Sequence, residues 1–441
     1  MTTLASPHSA PESTDLDRRA ALKFITCGSV DDGKSTLIGR LLVDSRSVLQ
    51  DQMANVSKSG AADLALFTDG LSAEREQGIT IDVAYRYFAT PARKFIIGDT
   101  PGHEQYTRNM VTAASSADAA VVLVDATKLK WKDVSQVTLL PQTRRHALLL
   151  KLLRVPSIVF AVNKLDALED PAEPGRATEA FERIRHALLA FASEAGIEVT
   201  ATIPISALQG NNVVSATPGW CGYQGQSLLQ LLEQLPVTPA DGALPLAFPV
   251  QWVEKFSSSS DTSQGRRVFW GRVANGHAQV GQNVTVFPSG KTATIAQVLN
   301  HVRQPQAVHA NHGAGLVLDR EVDVSRGDWL LADTAELQGR QTVSGIVAWM
   351  DDTPLVTGRT YWALHGQRWV KAKVQRIDYR IDVNTLVQSQ TTELEPNAIG
   401  HITLALQAPI AAMGFAQSRV LGALILVDTA SHATAGALLI E

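Results

Sequence analysis

The chain has 441 residues, 45% hydrophobic and 19% charged, so it can bury sizeable cores and predicts two or three domains at roughly 100–200 residues each. A net charge of -4 gives no general attraction to nucleic acid or anionic membranes. The two cysteines, Cys27 and Cys221, exclude a disulfide framework and fit a reducing cytoplasm. Residues 1–20 predict a flexible tail without a signal peptide, and no stretch reaches the roughly 20 apolar residues of a membrane span.

The first half of the chain predicts an α/β domain with a mostly parallel sheet and helices on both faces. Short apolar strands alternate there with segments of helical periodicity, and this alternation is typical of parallel sheets. The predicted strands are Leu22–Cys27, Lys94–Ile97, Ala119–Val124, Ser157–Val162 and Thr200–Ile205. The predicted helices are Lys34 to about Leu42, Glu104–Ser116, Gln142–Leu153 and Arg176–Ala195.

The pattern changes near Pro236, where Val237–Pro245 has the composition of a linker. Short strands separated by turns follow, and a second break lies at Thr334–Arg340. Such strands are typical of β-barrels. We therefore expect an α/β domain over 21–237 and two barrels, over 238–339 and 340–441. The predicted barrel strands include Phe248–Val253, Arg267–Val273, Asn283–Phe287, Thr342–Trp349, Lys371–Tyr379, Gly400–Leu406 and Ala423–Val427.

A phosphate-binding loop (P-loop) is predicted directly after the first strand. The glycines of G-x-x-x-x-G-K-[ST] let backbone N–H groups approach phosphates, and the N-terminus of the following helix favours the anion. Lys34 is expected to reach the β- and γ-phosphates, and the Ser35 hydroxyl to ligate Mg²⁺. A purely structural glycine turn is the alternative, which the flanking strand and helix disfavour. The motif and the next residue are Gly28, Ser29, Val30, Asp31, Asp32, Gly33, Lys34, Ser35 and Thr36.

Asp99-Thr100-Pro101-Gly102 follows a predicted strand downstream of the P-loop. A carboxylate in this position can hold Mg²⁺ directly or through water. The Gly102 amide can donate a hydrogen bond to the γ-phosphate when that group is present. Such turns are common, so the motif alone is weak evidence. Its position after the P-loop makes it indicative of a nucleotide-binding site.

Two motifs predict guanine recognition. Asn163-Lys164-Leu165-Asp166 ends a predicted strand, and the Asp166 carboxylate can accept hydrogen bonds from guanine N1–H and N2–H₂. Adenine lacks this pair of donors, so Asp166 is expected to select GTP over ATP. Ser206-Ala207-Leu208 is expected to close over the base and donate a backbone N–H to O6. All four motifs in this order predict a GTP-binding P-loop domain.

Glu74–Ile81 and Asp99–Glu104 resemble the switch regions of translational GTPases such as elongation factor Tu. The resemblance implies that Thr80 ligates Mg²⁺ in the GTP-bound state and that His103 positions the attacking water. With Lys34, these are the residues expected to act in catalysis. Asp31 matches the P-loop acid of this group, which is expected to help bind a cation near the phosphates.

A closer resemblance covers about residues 21–441 and is to the GTPase subunit of heterodimeric bacterial sulfate adenylyltransferase. It implies GTP and Mg²⁺ as cofactors and a smaller catalytic partner subunit. That subunit makes adenosine 5′-phosphosulfate and pyrophosphate from ATP and sulfate, driven by GTP hydrolysis. Residues Thr127–Leu140 look longer than the corresponding turn in that family. The matching segments are Thr26–Leu42, Asp82–Phe88, Glu104–Val111, Gln142–His146, Phe248–Gln251, Ser325–Asp328, Tyr379–Leu386 and Asn397–Gly400.

The sequence also bears on other activities. It contains neither H-x-G-H nor a second Walker-type loop, so it is not expected to adenylate sulfate alone, and a fused kinase domain is not expected either. The competing hypothesis is an elongation factor-like GTPase that delivers aminoacyl-tRNA. Residues 340–441 hold eight basic and eight acidic residues, whereas a nucleic-acid surface is usually basic, so no nucleic-acid partner is expected. A regulatory GTPase without a metabolic partner is disfavoured by the family-like barrel segments.

Overall fold

The computed structural model describes residues 21–45, 82–103, 106–132, 135–238, 242–255, 267–300, 305–333, 337, 339–382, 385 and 387–441. The chain divides into two compact units, Met1–Thr238 and Pro239–Glu441. The predicted tail, the switch segment Glu74–Ile81 with Thr80, and residues 104–105 lie outside the described residues.

The first unit alternates strands with helices. Its described strands are β1 (Leu22–Cys27), β2 (Ala84–Ala89), β3 (Lys94–Asp99), β4 (Ala119–Asp125), β5 (Ser157–Asn163) and β6 (Ala201–Pro204). Its described helices are α1 (Lys34–Asp44), α2 (Thr107–Ala114), α3 (Pro141–Leu152), α4 (Arg176–Ala195) and α5 (Leu228–Gln234).

These strands form one sheet in the order β2-β3-β1-β4-β5-β6, in which only the edge strand β2 runs antiparallel to its neighbour. Every residue of β4 and β5 is buried. Successive side chains of a strand point to opposite faces, so both faces of the sheet are covered. One face packs against α1 and α5, through a cluster that includes Leu37, Val121 and Leu232.

The register of the sheet places the predicted motifs at one edge. Thr26 of β1 lies opposite Asp99 of β3, and Asp125 of β4 lies opposite Asn163 of β5. The carboxyl ends of these parallel strands therefore meet beside the N-terminus of α1. In doubly wound α/β folds this edge is where ligands bind.

The second unit consists almost entirely of strands in its described residues. They are β7 (Ala247–Lys255), β8 (Arg267–Arg272), β9 (His277–Gln279), β10 (Asn283–Phe287), β11 (Lys291–Leu299), β12 (Ala307–His309), β13 (Gly313–Leu318), β14 (Trp329–Ala332), β15 (Gly339–Trp349), β16 (Leu355–Val356), β17 (Thr360–His365), β18 (Arg368–Ile381), β19 (Gln388–Ser389), β20 (Glu393–Leu394), β21 (Ile399–Ala411), β22 (Ala423–Asp428) and β23 (Thr434–Ile440).

The strands form two closed, six-stranded rings. The first runs β10-β11-β13-β8-β7-β14, and β14 closes it by pairing with β10. The second runs β17-β22-β23-β15-β21-β18, and the pairing of β17 with β18 closes it, with β19 added beside β18. Each ring encloses its own apolar core.

An apolar cluster also connects the two rings. The Ser418 hydroxyl donates to Asn275 Oδ1 at 2.8 Å beside it, and both residues are fully buried. This hydrogen bond satisfies two polar groups that would otherwise be costly to bury. The cluster consists of Ala247, Ala274, Trp329, Leu331, Leu337, Ala411, Met413 and Leu421.

The predicted fold class is confirmed, and several element boundaries need correction. The strand predicted at Lys94–Ile97 continues to Asp99, so Asp99 ends the strand and does not follow it. The strand predicted at Thr200–Ile205 is shorter, and β15 begins inside the predicted break at Gly339. The sequence analysis missed β2 and α5. Among the described residues, no helix combines the length and apolar composition that crossing a membrane requires.

Candidate nucleotide-binding site

The loop between β1 and α1 has the backbone of a phosphate-binding loop. Gly33 has φ +92°, and a Cβ there would lie 2.5 Å from Asn163 Nδ2. Asp31 also has a positive φ, of 60°, and its side chain is exposed. The sequence needs glycine at position 33 because the loop turns left-handed there and packs directly on a neighbouring side chain.

Lys34 lies where the P-loop meets the Asp99–Gly102 turn. It is 7% exposed, and its Nζ donates to the Ser29 carbonyl at 2.7 Å and to the Gly28 carbonyl at 3.3 Å. Burial lowers the pKa of Lys34. A Cβ at Gly102 would lie 2.6 Å from Lys34 Nζ. The ammonium is therefore held at the junction of the two predicted phosphate motifs.

The cation side of the site, formed by Thr26, Ser35 and Asp99, contains a buried carboxylate with hydroxyl partners. The Ser35 hydroxyl donates to Asp99 Oδ2 at 3.1 Å, and the Thr26 hydroxyl donates to Asp99 Oδ1 at 3.2 Å. Asp99 is 2% exposed. Mg²⁺ prefers hard oxygen ligands and is usually held by one or two protein oxygens together with phosphates and water. The adjacent hydroxyl and carboxylate fit this ion.

The predicted catalytic residues are only partly within the described chain. His103 is half-buried, and its ring lies edge-on to that of Tyr106, with 6.4 Å between the ring centroids. Thr80, predicted as a Mg²⁺ ligand, lies outside the described residues. Thr100 and Pro101 are buried, and the Thr100 hydroxyl donates to the Thr26 carbonyl at 2.7 Å.

Asn163 joins the P-loop to the Ser206–Leu208 loop. Its Nδ2 donates to the Asp32 carbonyl at 2.8 Å, and its Oδ1 accepts from the Ala207 amide at 2.9 Å. Leu165 is a core residue, whereas Asp166 is half-buried at the start of a short 3-10 turn. The structure therefore brings the two guanine motifs and the P-loop together through one buried amide.

Lys164 makes a second link to the P-loop. It adopts φ 63°, and its Nζ donates to the Asp31 carbonyl at 2.6 Å and pairs with Asp125 Oδ2 at 2.8 Å. Asp125 is 1% exposed, and its other oxygen accepts from the Thr127 amide and hydroxyl. Asp125 was not identified from the sequence, although it directly follows a predicted strand at the binding edge.

Lys128 was also missed by the sequence analysis. Its Nζ pairs with Asp32 Oδ1 at 3.0 Å and donates to the Val30 carbonyl. We call Asp32, Asp125, Lys128 and Lys164 the base-side cluster. Lys128 lies in the segment Thr127–Leu140, which is longer than the corresponding turn of the family it resembles. Four apolar side chains of that segment are buried, those of Leu129, Trp131, Val137 and Leu139. This segment is therefore packed into the domain in its described part.

Arg40 of α1 contacts the loop Ser206–Leu208, which is predicted to bind guanine. Its Nε donates to the Ala207 carbonyl at 3.2 Å, and its guanidinium also donates to the Leu208 carbonyl. The same guanidinium pairs with Asp44, one turn further along the helix, at 3.5 Å. The sequence carried no signal for this contact, since the partners are backbone carbonyls far away in the chain.

Two domain families match the chain. Residues 19–237 match the family described as "Elongation factor Tu GTP binding domain". Residues 343–441 match the family described as "GTP-eEF1A C-terminal domain-like". The crystal structure of sup35 complexed with GDP covers 98% of this chain and 97% of its own, with 19% identity and a TM-score of 0.42.

Curated relatives match most of the chain. "Bifunctional enzyme CysN/CysC" of Xylella fastidiosa is 45% identical over 424 residues, which are 94% of this chain and 65% of that protein. "Sulfate adenylyltransferase subunit 1" of Laribacter hongkongensis is 42% identical, covering 94% of this chain and 84% of that protein. The protein of the same name from Citrobacter koseri is 40% identical, covering 96% and 86%. The chain therefore belongs to the sulfate adenylyltransferase subunit 1 family and contains a GTP-binding domain of the elongation factor Tu type.

Proposed function

We propose that this chain binds and hydrolyses GTP with Mg²⁺, and that hydrolysis drives sulfate adenylylation on a smaller catalytic subunit in the cytoplasm. That subunit would form adenosine 5′-phosphosulfate and pyrophosphate from ATP and sulfate. The family membership supports the metabolic role over delivery of aminoacyl-tRNA. The observation that carries the GTPase role is the 3.1 Å contact between the Ser35 hydroxyl and the Asp99 carboxylate beside the buried Lys34.

The phosphate site is proposed to act mainly by holding positive charge beside the negatively charged phosphates. P-loop amides not used within the loop would surround the phosphates. The Lys34 ammonium, held by two loop carbonyls, would donate to the β- and γ-phosphate oxygens. Ser35 and Asp99, with Thr80, would hold Mg²⁺, which supplies neutralisation of the phosphate charge when bound. Because Lys34 is buried, its interaction with phosphate is screened little by water.

Water attack at the γ-phosphate would depend on the turn after β3. Gly102 packs closely against Lys34, since a Cβ there would lie 2.6 Å from Nζ. Its amide is proposed to donate to a γ-phosphate oxygen. The half-buried His103 follows at once and is proposed to orient the attacking water. Orientation of the nucleophile is one of the two contributions that a protein makes to phosphoryl transfer, beside electrostatic stabilisation.

Guanine recognition is proposed to use Asp166 and one backbone amide. Asp166 would accept from N1–H and N2–H₂ of the base. The Ala207 amide donates to Asn163 Oδ1, and the Ser206 amide donates to the Asn211 carbonyl at 3.2 Å. Of the three amides in Ser206–Leu208, we therefore assign the donor to O6 to Leu208.

Coupling to the partner subunit is proposed to pass through the switch residues. Gly102 packs against Lys34, which is proposed to bind the γ-phosphate, so loss of that phosphate would change what this turn packs against. Switch segments ordered by γ-phosphate and released on hydrolysis are a known way to signal nucleotide state. A partner that contacts this turn would sense the change.

The first test is GTP hydrolysis by the purified chain, alone and with the candidate small subunit, with and without ATP plus sulfate. We expect stimulation only when the partner and ATP are both present, and pyrophosphate release that requires GTP. A rate of GTP hydrolysis that is unaffected by the partner and increases when ribosomes are added would instead support the aminoacyl-tRNA hypothesis.

The His103→Ala variant tests coupling within that assay. It is expected to lose GTP hydrolysis and GTP-stimulated adenylylation together, because both would depend on the same water attack. Coupling through hydrolysis is wrong if adenylylation stays fully GTP-stimulated in this variant while hydrolysis disappears.

A further inference from the structure

We propose that Lys128 is a positioning residue of the nucleotide site that cancels the negative charge of Asp32 buried beneath the P-loop. This inference deepens the proposed GTP-binding function and rests on it. Lys128 lies outside the four sequence motifs. Asp32 occupies a variable position of the P-loop motif.

The position of Asp32 creates an electrostatic conflict. Its side chain is fully buried, and Oδ2 accepts from the Ser29 amide at 2.6 Å. The carboxylate therefore lies inside the loop whose amides are proposed to surround the phosphates. A negative charge held there, with little water around it, repels a polyphosphate.

Burial raises the pKa of Asp32, and the Lys128 ammonium opposes that shift. Lys128 Nζ lies 3.0 Å from Asp32 Oδ1, and Lys128 is about one-third exposed, at 32%. The pair thus consists of a carboxylate without access to water and an ammonium that keeps partial access. The Lys128 ammonium is therefore placed to compensate the Asp32 carboxylate, in addition to the weaker effect of Lys34.

The rest of the base-side cluster fixes the position of Lys128. Asp125 Oδ2 lies 3.9 Å from Lys128 Nζ and 2.8 Å from Lys164 Nζ. The two carboxylates and two ammonium groups therefore alternate from the guanine motif to the P-loop. Asp125 and Lys128 belong to the same short turn after β4, which includes the 3-10 helix Ala126–Lys128.

The chain offers a matched control for Lys128. Lys132 lies four residues further along the same segment and pairs with Glu173 at 3.1 Å, with both side chains about half exposed, at 52% and 47%. An exposed pair of this kind contributes little to stability or to binding. Removing the charge of Lys132 changes the net charge of the protein by the same amount without uncovering Asp32.

The test measures binding of GDP and GTP, in the presence of Mg²⁺, to the full chain and to Lys128→Met. GDP binding is followed by competition with a fluorescent GDP analogue, and kcat and KM for GTP are measured separately. We expect affinity for both nucleotides to fall about tenfold to hundredfold, because an uncompensated carboxylate opposes the phosphates. The KM rises, and kcat at saturating GTP stays within about threefold because the γ-phosphate partners are intact.

The double variant Asp32→Asn, Lys128→Met separates charge compensation from a purely structural role. With the carboxylate removed, we expect GDP affinity to return to within about threefold of the parent chain. Lys128→Arg and Lys132→Met are also expected to bind like the parent. A role as a simple anchor predicts instead a lower melting temperature and no recovery of affinity in the double variant.

Three results overturn the proposal: unchanged GDP affinity in Lys128→Met, no recovery in the double variant, or an equal loss in Lys132→Met. If Lys128→Met does not fold, Lys128→Gln takes its place, with the same expected loss of GDP affinity and the same comparison with Lys132→Met. A parent chain that binds neither GDP nor GTP would refute the proposed function, and that outcome is distinct from any of these.

Discussion

Two carboxylates border the P-loop, and the structure treats them differently. Asp99 on the cation side is 2% exposed and accepts from the hydroxyls of Ser35 and Thr26. Asp32 in the base-side cluster is 0% exposed and is paired with the ammonium of Lys128. Both carboxylates interact electrostatically with the Lys34 ammonium, and Asp32 has the Lys128 ammonium as a further cationic neighbour. We therefore expect Asp99 to serve the bound cation and Asp32 to be compensated within the protein.

The largest expected effect lies at Lys34, between these two regions. Lys34→Met is expected to lower GTP hydrolysis by about 10²–10³-fold, because a preorganised cation at the transferred phosphate is lost. Turnover at saturating GTP is the measurement. Lys132→Met serves as the control, since its exposed pair lies away from the P-loop. Retention of most of the activity in Lys34→Met would show that the P-loop lysine is not the phosphate cation here.

The cation side is tested by Asp99→Asn. We expect the Mg²⁺ concentration for half-maximal hydrolysis to rise about 10- to 100-fold, as when a metal-site oxygen partner is altered. Nucleotide binding in the presence of EDTA should change little. An unchanged Mg²⁺ requirement would mean that Asp99 only orients Ser35 and Thr26, which would remove the contrast with Asp32.

A smaller effect is expected from Arg40→Ala, which loosens the guanine loop without touching either carboxylate. Two backbone carbonyls lose a guanidinium donor, each hydrogen bond being worth roughly 1 kcal/mol. GDP should dissociate about three- to tenfold faster in stopped-flow displacement. The hydrolysis rate with GTP saturating should stay near that of the parent, and a large loss there would place Arg40 in the chemistry instead.

The smallest expected effect concerns the stability of the first unit, which carries both regions. Burial lowers the pKa of His146, on α3, to about 3. Because this is below the unfolded value of about 6.5, the stabilisation is complete above that pH and is lost as pH falls toward 3. Between pH 6.5 and 5.5 the free energy of unfolding should drop by about 1 kcal/mol for this group.

Thermal unfolding at the two pH values, with and without His146→Gln, measures this contribution. The pH dependence is expected to be weaker in His146→Gln than in the parent chain. If His146→Gln leaves the pH dependence of the parent unchanged, the acid sensitivity of the first unit arises elsewhere.

The sequence predicted the parallel strands well because they are buried on both faces and read as continuous apolar runs. The edge strand β2 escaped prediction because Tyr85 and Tyr87 are exposed and its apolar pattern is broken. The helix α5 has only seven residues, too short for a clear period. In both elements, stability comes from packing against distant parts of the domain.

The site residues also divide into those that a local sequence pattern predicts and those that depend on contacts between distant parts of the chain. The P-loop residues were identified because backbone geometry demands glycine and chemistry demands lysine at fixed spacing. Asp125, Lys128 and Arg40 were not predicted, because their partners are distant in the chain. Lys128 meets Asp32 across 96 residues, and Arg40 meets Ala207 across 167. Such pairs carry no periodic signal, and only the fold reveals them.

The apolar cluster that joins the two barrels bears on how the second unit unfolds and can be handled. Trp329 of the first ring and Ala411 of the second belong to the same buried cluster, and Asn275 and Ser418 share a buried hydrogen bond. A fragment ending between the rings would expose this surface to water and leave polar groups unpaired. We therefore expect the two barrels to unfold in one cooperative thermal transition. Each barrel expressed alone is expected to aggregate, whereas a fragment containing both is expected to stay monodisperse.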